Sequence, residues 1–232
     1  SQPGNENLDW ERTITYDAGL DMEMGEGRIK MTLDYYYKKT TDMLFASDLP
    51  LYTGYTKENQ NIADMMNQGI DLQLITTNIQ TNDFQWQTIL NLSRSTNKIL
   101  KLKFEGNQLD NANSSYKYYA EGAPVAQWYL HEWVGVDPMT GDPLWKYADG
   151  TISNIAPESN YATSQANKFV KGTALPDLYG SLNNSLFYKN FELNFMFTFA
   201  LGSRMMNSTR ATLLTYTNTD ANNLGKDATS RE

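Results

Sequence analysis

The chain has 232 residues, enough for one sizeable domain or one sector of a larger one, and 27 acidic against 19 basic residues give it a net charge of −8. That charge argues against nucleic-acid binding, which needs a basic surface. The absence of cysteine excludes disulfides and thiolate metal sites, and a lone histidine, His131, leaves zinc centres and Ser-His-Asp chemistry without their usual parts.

Six segments alternate apolar and polar residues, the pattern of a half-buried strand. The first, near 13–24, sets Ile14, Tyr16, Ala18, Leu20, Met22 and Met24 against Thr15, Asp17, Gly19, Asp21 and Glu23. The second, near 28–45, sets Ile29, Met31, Leu33, Tyr35 and Tyr37 against Lys30, Thr32, Asp34, Tyr36 and Lys38. The third and fourth, near 66–79 and 84–97, carry Ile70, Leu72 and Leu74, then Phe84, Trp86, Leu90 and Leu92, with Asp71 opposed to the former set. The fifth, near 177–188, keeps phase only at Leu178, Leu182 and Leu186. The sixth, near 191–202, is the clearest, with Phe191, Leu193, Phe195, Phe197, Phe199 and Leu201 in one phase. A helix would scatter such a set around its axis, so these are strands and the fold is all-β.

The connections alternate in length. Short turns rich in Gly, Asn and Asp (25–27, 80–83 and 188–190) join the strands into three hairpins. Long stretches, 46–65, 98–176 and 203–232, separate the hairpins. Short turns on one side and long loops on the other suit an antiparallel up-and-down transmembrane barrel. A secreted or surface β-sandwich that binds glycans through its loops is the alternative, with the apolar faces sealed in a core instead of turned to lipid. Aromatic residues near strand ends, among them Trp10, Tyr16, Tyr35–Tyr37, Trp86 and Tyr188, fit interfacial belts.

Ordered motifs carry a resemblance over nearly the whole chain. NENLDWERTITYDAGLD (5–21), RIKMTLDYYYKKTTDML followed by Pro50, Gly54 and NIADMMNQGIDL, the Phe84-x-Trp86-x-Thr88 pattern, GVDPMTGDPLW (135–145) and LPDLYGSLNN (175–184) are similar to SusC/RagA-type TonB-dependent transporters. The resemblance implies an outer-membrane barrel of a Gram-negative bacterium, with extracellular loops and short periplasmic turns. It further implies energy supplied through the TonB complex, a SusD-like surface lipoprotein as lid, and import of oligosaccharides, glycans or peptides. It implies neither catalysis nor a cofactor. No plug or TonB box is recognisable, and both ends read as cuts, so the chain is expected to be about six strands from the C-terminal half of such a barrel.

Two groups of residues are candidates for function. Asp17, Asp21, Asp34, Tyr36 and Asp71 fall on polar strand faces; they read as the wetted lining of a barrel, the competing reading being an acid–base carboxylate pair as in glycoside hydrolysis. In the long loop, Trp128, Tyr129, Trp133 and Trp145 offer flat surfaces to a sugar ring or protein partner, against which stands simple packing of the loop upon itself. Asp137 and Asp142 flank a Gly in GVDPMTGDPLW; they read first as turn residues, since the spacing lacks the D-x-D-x-D-G order of a calcium loop.

Overall fold

A computed structural model describes residues 3–49, 51–103, 108–110, 116–157 and 167–214. Pro50, the last part of the expected 203–232 loop and portions of the 98–176 loop lie outside them. The chain divides into two compact units, Ser1–Trp128 with Gly172–Ser203, and Tyr129–Lys171 with Arg204–Glu232.

The first unit is built on a six-stranded antiparallel sheet. In chain order its strands are β1 (Arg12–Met24), β2 (Ile29–Asp48), β3 (Lys57–Gln80), β4 (Phe84–Leu102), then β11 (Leu178–Tyr188) and β12 (Phe191–Leu201), and neighbours in that order are hydrogen-bonded. Between β4 and β11 come the short strands β5 (Gln108–Asp110), β6 (Lys117–Ala120), β7 (Gln127–Val136), β8 (Pro143–Lys146), β9 (Ile152–Ser153) and β10 (Lys168–Thr173). The expected three hairpins are present, and the sheet is open, with β1 and β12 at its edges.

The strand limits differ from the sequence expectation at the long-loop end. β2 and β3 run through most of the stretch expected as a loop at 46–65, so that only 49–56 connects them. β4 likewise continues to Leu102. The reason is physical: alternation records where side chains meet an apolar medium, whereas the ladder is made by backbone groups and continues through polar residues such as Thr40, Thr41 and Asn59. Irregular pairing at Thr40/Met43, Met43/Leu44 and Asp64/Met65 marks the level at which the alternation stops. Beyond Ser93, where β11 no longer borders β4, residues 120–126 take its place. Ile99 N–H donates to Ala123 O (2.9 Å), and Gly122 N–H donates to Ile99 O (2.8 Å). The buried apolar residues Ile62, Ile99 and Leu102 lie at this end.

Register joins the strands into rows with two unlike faces. One apolar row runs Met22–Met31–Leu74–Leu90–Leu182–Phe197, and the next runs Leu20–Leu33–Leu72–Leu92–Gly180–Phe199. This face is not covered: Phe197 is 62% and Leu20 50% exposed. A sandwich seals such a face under a second sheet, and no second sheet covers it among the described residues.

The apolar band crosses the rows obliquely. On β1 it ends at Met24, level with Ile29, Thr76 and Thr88; on β4 it continues four residues further, to Phe84. Its other edge moves the same way. Tyr16 and Tyr37 are level with Thr96, but on β4 the last apolar residue of the band is Leu92, with Arg94 and Thr96 following it in phase. Four residues are about 14 Å along a strand and three interstrand spacings about 14 Å across, a slope of about 45°. Strands tilted by that amount across a flat apolar slab are the geometry of a transmembrane barrel wall.

Within the second unit β7 pairs with β8, β8 with β9, and β10 with β7. A short helix, α1 (Ser208–Leu214), follows the main sheet in sequence.

Candidate functional site

The five expected lining residues share the face opposite the apolar band. Asp17 is level with Tyr36, Gly69 and Ser95, Asp34 with Gly19, Asp71 and Ser93, and Asp21 with Thr32, Gln73, Asn91 and Ser181. Strands β2, β3, β4, β11 and β12 together line one groove of about 590 Å³ on this face, to which Asp34, Asp71, Gln73, Ser93, Tyr179 and Thr198 contribute. The polar face is therefore the concave one.

Cross-strand hydrogen bonds hold the lining in place. Thr32 Oγ1 donates to Asp21 Oδ1 (2.7 Å), Ser93 Oγ donates to Asp71 Oδ1, and Gln73 Nε2 donates to Asn91 Oδ1 (3.0 Å). Asn91 Nδ2 in turn donates to Ser181 Oγ (3.2 Å). Asp34 and Asp71 are directly opposed like charges, an unfavourable pairing. Gly19 relieves it: Asp34 Oδ1 lies 2.6 Å from where a β-carbon on Gly19 would stand, so the carboxylate leans away from Asp71 over the glycine. Carboxylates held by hydroxyl donors at the wall of an open groove make a hydrated, acidic lining.

Among the described residues the opposite face carries a polar chain at the short-turn end. Thr76 Oγ1 donates to Asn78 Oδ1 (2.9 Å), Asn78 Nδ2 to Thr88 Oγ1 (2.7 Å), and Thr88 Oγ1 and Trp86 Nε1 both donate to Asn184 Oδ1 (2.8 and 3.0 Å). Asn78 is the extra residue where the β3–β4 register shifts. These side chains thus partner one another inside the protein, as an apolar solvent favours.

The loop candidates separate into two sets. Trp133 and Trp145 are directly opposed on β7 and β8, and the His131 ring meets Trp145 edge-on (centroids 6.5 Å, 82°). Alternation along β7 puts Tyr129, His131 and Trp133 on one side, where Lys168 Nζ stands 6.0 Å from the Tyr129 ring. Trp133 is 59% exposed, whereas Trp145 is half-buried, its Nε1 without an acceptor among the described residues. Trp128 points the other way and lies under Lys117, whose Nζ is 3.4 Å from the ring centroid; burial pushes that ammonium below its ordinary value. Glu132 binds Lys171 (2.8 Å) and Lys146 (3.9 Å), and the hydrogen bond from Lys171 leads in holding its carboxyl below the usual range.

Asp137 and Asp142 bracket the β7–β8 turn. Asp137 N–H donates to Asp142 O (2.8 Å), Asp137 Oδ1 accepts from Met139 N–H (2.8 Å), and Asp142 Oδ2 accepts from Thr140 Oγ1 (3.0 Å) and Asn154 Nδ2 (3.1 Å). Their carboxylates are engaged in shaping the turn, and among the described residues no three acidic or histidine side chains converge on a metal position.

Three glycines important to this geometry were missed by sequence reasoning, which treated them as members of strands. Gly19 and Gly69 accept Asp34 and Tyr36 on the concave face, and Gly180 accepts the Phe199 ring on the apolar one. The available signal was an isolated glycine inside a strand pattern, which marks a close approach without naming what approaches.

Comparison with known proteins agrees with this architecture. A family model described as TonB dependent receptor-like, beta-barrel, matches residues 1–202. TonB-dependent receptor P3 of Formosa agariphila is 32% identical over 227 residues, covering 88% of this chain and 22% of that protein. TonB-dependent receptor SusC of Bacteroides thetaiotaomicron is 27% identical over 205 residues, covering 82% of this chain and 19% of that protein. The chain thus spans about a fifth of the length of these relatives. A solved structure of the RagAB peptide transporter superposes with a TM-score of 0.81 at 26% identity, over 92% of this chain and 24% of the other. The RagAB importer in its open-open state gives 0.76 at 25% identity, over 88% and 22%.

Proposed function

Because this chain belongs to the TonB-dependent receptor-like β-barrel family, whose members are outer-membrane transporters of Gram-negative bacteria, we propose that it forms one sector of the wall of a nutrient importer. In this reading the sector works through gated binding and passage, energised by the TonB complex, with no bond made or broken. The cargo is an oligosaccharide, a glycan or a peptide, and a SusD-like lipoprotein closes the outer mouth. The oblique apolar band carries the reading. In this reading one face of the sheet meets lipid, and Asp17, Asp21, Asp34, Tyr36 and Asp71 line the lumen.

Tyr35 and Tyr37 share the lipid face and sit near its outer edge, where an apolar ring with a polar tip is at home in the headgroup layer. Tyr129 and Trp133 are the loop residues in this reading that touch cargo or lid, and Trp145 packs beside them against His131. Trp128, stacked on Lys117, takes a supporting part, and Asp137 and Asp142 fix the turn that carries the platform. Deleting the gene tests the reading: mutant cells lose uptake of the nutrient, and the restored gene returns it only while TonB is functional. Uptake indifferent to deletion, or independent of TonB, would contradict it.

A further inference from the structure

On the face that carries the apolar band, the charged residues of β1 to β4 have one sign. Over the regularly paired stretches 12–24, 29–40, 65–77 and 87–99, the residues in phase with the band include Arg12, Lys39, Arg94 and Lys98 and no carboxylate. Every carboxylate of the same stretches, Asp17, Asp21, Glu23, Asp34 and Asp71, is in the opposite phase. A chain of net charge −8 thus keeps a cationic patch on its apolar face.

The cations follow the edge of the band. Arg12, Lys39 and Arg94 each stand two residues beyond its outermost residue on their strand, Ile14, Tyr37 and Leu92 in turn. Gln68 holds the same place on β3, two residues beyond Ile70. Lys39 is level with Ile14, Gln68 with Tyr37 and Arg94 with Ile70, so the four form one oblique line that slopes in the same sense as the band. Lys98 lies further out, on one row with Lys39 through Met66. Just inside the line come Tyr16 and Tyr37, their ring centroids 6.4 Å apart, and Tyr35, whose Oη donates to Gln68 Oε1 (3.4 Å). Arg12 is partly answered by Asp9, 3.7 Å away, which leaves Lys39, Arg94 and Lys98 to carry the patch.

The short-turn edge is built differently. Met24, Ile29, Thr76, Phe84, Tyr188 and Phe191 end the band there, and none is charged. Lys189 belongs to the β11–β12 turn, its Nζ 5.6 Å from the Tyr188 ring. Tyrosines suffice at an edge that meets neutral headgroups. A line of cations at one edge alone gains its attraction where the headgroups of that leaflet are anionic, the long stems lying on apolar surface while the charged heads reach outward. Tyr37, Ile70 and Leu92, immediately inside the cations, offer that apolar surface to acyl chains as well. A free anion meets only the charges, whereas phosphate joined to acyl chains meets both.

We propose that Lys39, Arg94 and Lys98 form a docking site for the phosphate-bearing headgroup of an outer-leaflet lipid, whose acyl chains lie along the band. The proposal rests on the barrel-wall part of the importer reading and is independent of its cargo.

The test titrates the full-length protein in a neutral detergent with diphosphoryl lipid A, with the same glycolipid stripped of its phosphates, and with inorganic pyrophosphate. Native mass spectrometry reads the binding, and heat-modifiable migration in gels shows each variant folded. The phosphorylated glycolipid is expected to bind at least tenfold more tightly than the stripped one. The double variant K39Q/R94Q is expected to weaken it at least tenfold and K98Q at least threefold. K30Q/K38Q removes the same charge from the concave face and is expected to bind as wild type. Equal binding with and without phosphates, wild-type binding by K39Q/R94Q, or an equal loss in K30Q/K38Q would overturn the site. Pyrophosphate bound as tightly as the glycolipid would overturn the lipid in favour of a free anion. A nitroxide scan along β12 separates the site from the wall. If that strand faces lipid while K39Q/R94Q binds as wild type, the wall stands and the site falls; if it does not face lipid, both fall.

Discussion

The Tyr36 ring lies across Gly69, its directly opposed neighbour on β3, with its Cε1 and Oη each 2.6 Å from where a β-carbon would stand. The pairing covers a strand glycine that would otherwise leave backbone bare, and it presses the phenol flat against the concave wall. Phe199 does the same for Gly180 on the apolar face, its Cζ 3.0 Å from the missing β-carbon. Gly69→Val therefore forces the ring off the wall and destabilises the sheet by about 1–3 kcal/mol, the usual range for overpacking. Combining it with Tyr36→Ala is expected to recover part of that loss, because the two residues share one space. Urea unfolding of the full protein in lipid vesicles measures both; strict additivity would show that the contact carries no coupling.

Asn184 is 7% exposed and accepts from both Trp86 and Thr88 on the face turned to lipid. Asn184→Leu leaves two donors in an apolar medium and is expected to cost about 1–3 kcal/mol, despite raising the apolarity of the face. The same unfolding experiment reads the sign: a stabilised variant would mean the network is not in hydrocarbon.

Arginine placed on the two faces separates them. Leu182→Arg enters the middle of the apolar band and is expected to destabilise by about 2–4 kcal/mol, whereas Ser181→Arg enters the concave groove and costs little. Equal costs would remove the distinction between the faces.

Glu132 gives the loop unit a pH dependence. Its carboxyl lies below the ordinary value because Lys171 and Lys146 favour the charged form, so the folded state binds fewer protons than the unfolded one. The contribution is present above the unfolded carboxylate value and is lost as pH falls through the lower folded one. Amide protection of β7 and β10, corrected for the intrinsic exchange rate, is therefore expected to fall on acidification through that window, and Glu132→Gln to abolish the step.

Trp133 and Trp145 differ in what they support. Trp133→Ala is expected to lower nutrient affinity by about tenfold, as for a single aromatic anchor, without changing loop stability. Trp145→Ala is expected to loosen the β7–β8 hairpin, because that ring is half-buried against His131. Binding and limited proteolysis on each variant separate the two effects.

Much of this was readable from the chain. Period-two alternation located six strands, and the contrast of short turns with long loops favoured a barrel over a sandwich. It also put Tyr36 out of phase with Tyr35 and Tyr37, and the register places Tyr36 opposite Gly69 while its neighbours share the apolar face. What was not legible has two physical causes. The strand ends were set short because β2 and β3 continue as backbone ladder where no apolar medium imposes alternation. The separation of Trp128 from Tyr129, Trp133 and Trp145 depends on which residues of the loop pair with which, and composition says nothing of that.

The central claim is that β12 turns alternate residues to lipid, and a nitroxide scan from Glu192 to Ala200 of the full protein in outer-membrane vesicles tests it most directly. Labels at 193, 195, 197 and 199 are expected to show high accessibility to oxygen and low accessibility to a nickel chelate, with the reverse at 194, 196 and 198. Uniform accessibility along the strand, or high chelate access at 195 and 197, would contradict a lipid-facing wall.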